Sequence, residues 1–131
     1  VKDPAAQQKS APGTTSGAGL AVFDRADALA RVDGDDALLA TLLALALDDM
    51  PLRLEQLEAA LQAHDGRAAT LQAHNLKGAA ATVGALALAA AAGAVELALR
   101  EARQPSPEQV TALHAAYQAF RRTVAATQPN P

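Results

Sequence analysis

Residues 73–96 read AHNLKGAAATVGALALAAAAGAVE, and the fold of the chain turns on how this run is parsed. On a helix turning about 100° per residue, Lys77 at i+3 and Gly78 at i+4 share the face of His74, together with Arg67, Thr70 and Ala81. That face is polar or very small. The opposite face gathers Ala68, Ala69, Leu76, Ala79, Ala80 and Val83, an apolar stripe suited to a core. A helix of this pattern buries its alanines and turns His74 outward. Gly84 interrupts the run at a turn, and a second helix follows over 85–103, with Leu88, Ala92, Val95 and Leu99 on one side and Arg100 and Arg103 near the end, where cations suit the helix dipole.

Working outward, Asp65-Gly66 punctuates the chain, and Asp65 is the N-cap of the His74 helix. Upstream, a helix over 35–63 carries Leu39, Leu43, Ala46, Met50, Leu54, Leu57 and Leu61 as one seam of alternating short spacings. Pro51 lies inside it. The seam keeps its phase across the proline, which favours one helix bent near Leu47 to Met50 over two separate ones. Asp24 can cap a short helix through Arg31, with Asp27 at N3 and Phe23 as a hydrophobic staple, before Val32-Asp33-Gly34-Asp35 breaks it. Downstream, Ser106, Pro107 and Gln109 stand at N-cap, N1 and N3 of a last helix carrying Val110, Leu113, Tyr117, Phe120 and Val124.

Four main helices on short connections predict an all-α, antiparallel up-down four-helix bundle preceded by a short N-terminal helix. The expected organisation is a flexible linker over 1–19, rich in Pro, Gly, Ser and Thr, a bundle over 20–128 and a tail over 129–131. The linker and the missing start Met suggest a piece of a longer protein, tethered to something upstream.

The 131 residues leave room for one domain of modest core. Half are apolar but only 2% aromatic, which favours helix over strand. A net charge of −3 without a basic stripe argues against nucleic acid. With no cysteine, disulfides and thiolate metal sites are excluded. His64 and His74 lie ten residues apart across a helix break, unlike the i, i+4 pair of a helical metal site. The uncharged run 78–95 is mostly Ala and Gly, interrupted at Gly84, and is read as core, without direct membrane contact. Residues 1–19 lack the apolar region of a signal peptide.

AHNLKG, followed by Gly84-Ala85 and by Glu96, resembles the histidine-containing phosphotransfer (Hpt) domain, over Phe23 to the C-terminus. The resemblance implies the same bundle and a role for His74 as phosphoacceptor, taking a phosphoryl group from one receiver-domain aspartate and passing it to another. Lys77 would stabilise phosphoryl charge. Arg67, Thr70, Leu71, Gly78 and Ala81 would form the docking surface, left low by Gly78 and Ala81, with Leu71 as an apolar contact at its border. Gly84 would serve the turn. Glu96 falls where Hpt domains place a polar residue that hydrogen-bonds the histidine, and its carboxylate could fix which ring nitrogen is free to attack.

The partners implied are receiver domains, in cis and in trans, which would also supply Mg²⁺, so that this domain binds no cofactor or metal. A Gly-rich nucleotide loop is absent and no ATP-binding domain fits, so kinase activity would belong to a parent, read as a hybrid sensor histidine kinase carrying this monomeric module at its C-terminus. The setting expected is cytoplasmic, with a membrane-anchored parent allowed. Two other readings fit the same helices: a helical interaction domain without chemistry, and the phosphoacceptor domain of a chemotaxis-type histidine kinase.

Overall fold

Side-chain caps set most of the helix starts. The computed structural model describes residues 15–16 and 19–127 and contains α1 (Arg25–Arg31), α2 (Asp36–Gln62), α3 (Gly66–Thr82), α4 (Leu86–Arg100) and α5 (Pro107–Thr127). Asp24, Asp35 and Asp65 each accept from the backbone N–H three residues on, at 2.9, 3.0 and 3.1 Å. Ser106 and Gln109 bond reciprocally, backbone to side chain in both directions. Each such cap is worth about 1 kcal/mol.

The ends of α2, α3 and α4 share another device. In each, a residue in the left-handed region, His64 (φ 55°), Gly84 (φ 75°) or Ala102 (φ 59°), turns the chain. The following N–H then reaches back to a carbonyl of the last turn: Asp65 to Ala60, Ala85 to Ala80, Arg103 to Ala98, at 2.8–2.9 Å. This Schellman closure satisfies carbonyls the helix leaves open. It stops α4 at Arg100, short of the expected 103, and leaves Arg103 outside the helix, paired with Glu101.

α2 is continuous through Pro51, whose side is exposed, as the unbroken phase of its seam predicts. Its buried residues are Leu39, Leu43, Ala46, Met50, Leu54, Leu57 and Ala60; Leu61, expected in the seam, packs on the core only in part. Sequence-adjacent helices pack on one another and α5 closes back against α2, the ring of an up-down bundle. Leu76, Leu88, Val95, Leu113, Phe120 and Val124 fill its centre. Phe23 does more than staple α1: its ring meets Phe120 edge to face, centroids 5.8 Å apart at 76°.

The linker expected over 1–19 lies outside the described residues except at Thr15, Ser16 and Gly19, and the tail over 129–131 lies wholly outside them. Thr15–Ser16 (β1) pairs antiparallel with Leu20–Ala21 (β2), a two-residue ladder at the entrance to the bundle.

Candidate functional site

His74 and Lys77 project from α3 and Glu96 from α4, at the most extensive helix–helix contact of the fold. Ala69, Ala73, Leu76 and Ala80 form the buried face of α3. That leaves His74 on the outer side, with its side chain 55% exposed. Glu96 differs from the other charged residues. It is only 5% exposed and is the one buried charged or polar residue among the described positions.

Burial of a carboxylate is tolerated when its oxygens are filled, and here both are. Oε1 accepts from Lys77 Nζ at 2.8 Å. Oε2 accepts from His74 Nδ1 at 3.0 Å and from Arg100 Nε and Nη2 at 2.9 and 2.7 Å. The Lys77 hydrogen bond is the main reason the Glu96 carboxyl is held down to about 2; desolvation pushes it upward, and the Arg100 and His74 bonds lower it again.

An ionised carboxylate offers no proton, so His74 Nδ1 must donate. In the neutral ring this leaves the Nε2 lone pair free, and Nε2 makes no hydrogen bond to the described residues. One acidic group and two cations give the cluster a net charge of +1 with neutral His74, a setting suited to an incoming anion.

Beside His74 an open groove of about 810 Å³ is lined by Asp65, Arg67, Ala68, Thr70, Leu71, Arg100 and His74 itself. Leu71 is 56% exposed there. Gly78 and Ala81 lie outside this groove lining, further along α3. A Cβ on Gly78 would meet nothing within 4 Å, so the surface next to His74 is low. Gly84 occupies the turn between α3 and α4, where a Cβ would come within 2.4 Å of Asp24 O. Its own carbonyl accepts from Asp24 N at 2.8 Å, tying the start of α1 to this turn.

Arg100 is the member that sequence reasoning assigned only to the helix dipole. A signal was available: Glu96 and Arg100 are an i, i+4 pair in the favourable orientation. His64 and His114 stand apart from the cluster. His64 occupies the left-handed position after α2, and His114 Nε2 lies 2.7 Å from Glu58 Oε2, joining α5 to α2. Among the described residues no group of three His, Cys, Asp or Glu could hold a metal, and no helix is long and apolar enough to cross a membrane.

The family model of the Hpt domain matches residues 41–123, a span that contains His74, Lys77, Glu96 and Arg100 but starts later than Phe23. The crystal structure of the HPT domain from a sensor hybrid histidine kinase of Shewanella aligns with a TM-score of 0.66 at 18% identity, covering 82% of this chain and 97% of that one. Identity that low speaks for the fold alone. No curated protein matches the chain significantly.

Proposed function

The chain belongs to the Hpt domain family, a family of phosphotransfer modules in two-component signalling, and on that premise we propose that His74 is its phosphoacceptor. The observation that carries the reading is the bond from His74 Nδ1 to the buried carboxylate of Glu96, which leaves Nε2 as the nucleophile on the exposed edge of the ring.

In the proposed step the Nε2 lone pair attacks the phosphorus of a receiver's aspartyl phosphate. The bond from phosphorus to the carboxyl oxygen breaks, and the aspartate leaves as carboxylate. His74 keeps its Nδ1 proton, so the product ring is an imidazolium facing Glu96. A second receiver aspartate reverses the step. Transfer of this kind is mostly a matter of positioning and charge stabilisation; here Lys77 and Arg100 supply positive charge, and the receiver would bring Mg²⁺. Arg67, Thr70 and Leu71 line the groove in which the receiver would dock, with Gly78 and Ala81 keeping the approach low.

A hybrid sensor kinase as parent, in a cytoplasmic setting, is the context we propose, with the relay running between its own receiver and a separate one. The isolated module would act as a monomer. The test is incubation with a purified, phosphorylated receiver and Mg²⁺. Wild type, His64→Gln and His114→Gln should acquire acid-labile phosphate and His74→Gln none, with unchanged helical circular dichroism. Undiminished labelling of His74→Gln would end the assignment, and a wild type that takes no phosphate from receivers or from acetyl phosphate would leave a binding module without chemistry.

A further inference from the structure

Gly93 stands in the middle of α4, where glycine is less favourable than alanine, and neither a turn nor a positive φ requires it. It lies three residues before Glu96, on the same face of the helix. A Cβ built there would touch one thing beyond its own helix backbone, Cδ of Lys77, at 3.4 Å. Lys77 comes from α3 and must reach a carboxylate whose side chain is only 6% exposed, ending with Nζ 2.8 Å from Oε1. Its stem therefore crosses α4 low, over the position of Gly93.

We propose that Gly93 is a positioning residue: the missing side chain is the seat on which the Lys77 stem lies, and it holds the ammonium on Glu96 beside His74. A methyl at 3.4 Å is at the near limit of ordinary contact, so alanine fits beneath the lysine. Any side chain that continues past Cβ occupies the path of Cδ and lifts Nζ off the carboxylate. The seat itself is independent of phosphoryl transfer; only its effect on rate rests on the function proposed above.

The test follows the Glu96 side-chain carboxyl by NMR in the full chain, from neutral pH down to about pH 3.5, below the ordinary carboxylate range. Wild type and Gly93→Ala should stay ionised throughout. Gly93→Leu should begin to protonate, as Lys77→Met does, because each removes the main group holding the proton off; the titratable and charged groups left facing Glu96 would be the His74 ring and Arg100. Gly93→Met, which lacks the γ-branch of leucine, repeats the measurement should the leucine disturb the helix. Adding Gly93→Leu to Lys77→Met should shift nothing more. A Gly93→Leu and Gly93→Met carboxyl that titrates with wild type overturns the seat, and so does a further shift in the Lys77→Met background. In receiver assays Gly93→Leu should slow transfer by the same factor as Lys77→Met. If the carboxyl moves as expected while both variants transfer at the wild-type rate, the seat stands and the role given to Lys77 in transfer falls.

Discussion

His74 Nδ1 on α3 and Glu96 Oε2 on α4 stand 3.0 Å apart, and the bond between them joins an exposed ring to a buried charge. Hydrogen bonds to charged groups contribute about 1.5–3 kcal/mol, so releasing the ring should be felt as roughly a 10- to 100-fold change in rate. Glu96→Ala is expected to slow phosphoryl transfer from a receiver by that factor, with its helical content retained. Glu96→Gln, which keeps an oxygen able to accept from Nδ1, should fall between the two. Wild-type rates in Glu96→Ala would show that the carboxylate does not orient the ring.

The same carboxylate makes stability depend on acid. Its pKa falls from 4.5 to about 2 on folding, so the folded state binds the proton less readily than the unfolded chain. The resulting stabilisation is complete above the unfolded value and is lost as pH drops from 4.5 towards 2. It amounts to at most about 3 kcal/mol, reduced by screening because Lys77 and Arg100 are roughly half exposed. Thermal melts of wild type and Glu96→Gln at a series of pH values should therefore differ by a constant amount above about pH 5 and converge below it. A constant difference down to pH 2 would contradict the shift.

Gly78 separates helix stability from access. With nothing within 4 Å of a Cβ at this position, Gly78→Ala should raise stability by up to about 1 kcal/mol. Gly78→Leu should fold yet slow transfer from a receiver, while phosphorylation by acetyl phosphate or phosphoramidate changes little. Equal slowing with both kinds of donor would mean that the glycine shapes the histidine's own surroundings.

At Gly84 the glycine is required by the backbone. A left-handed φ disfavours side chains by about 1–2 kcal/mol, and a Cβ would also press on the backbone oxygen of Asp24 at 2.4 Å. Gly84→Ala should thus lower the melting temperature by more than about 10 °C, since 1 kcal/mol is worth several degrees in a domain this small. Ala102, in the same conformation after α4, offers the control: Ala102→Gly should leave the melting temperature unchanged or raise it slightly. A mild effect at Gly84 would show that the Asp24 contact yields easily.

Most of this architecture could be read along the chain, because the signals that define it are local. Asp24, Asp35, Asp65 and Ser106 each announce a helix within three residues, and the seam from Leu39 to Leu57 gives the buried side of α2 without knowledge of its partners. Helix spacing alone puts Lys77 beside His74, the family resemblance adds Glu96, and the structure brings the histidine and the lysine onto that one carboxylate. What escaped depends on pairs far apart in sequence or on competition among partners. Nothing near Phe23 tells of Phe120. Nothing near Gly84 tells that a carbonyl from α1's cap fills the space of its missing side chain. Arg100 looked like a charge for the helix end because, in sequence, its claim on Glu96 cannot be weighed against its claim on the dipole.

Among the described residues, every hydrogen-bonding partner of the Glu96 carboxylate comes from α3 or α4, two helices consecutive in the chain and joined by the three residues Val83, Gly84 and Ala85. The reactive centre is therefore a cassette. Its contacts have low sequence separation, which favours early assembly during folding, and they make no demand on the identity of residues in α2 or α5 beyond their apolar faces. A designer could hold residues 66–100 fixed, replace the two flanking helices with others of matching shape, and expect the carboxylate to keep the same three partners.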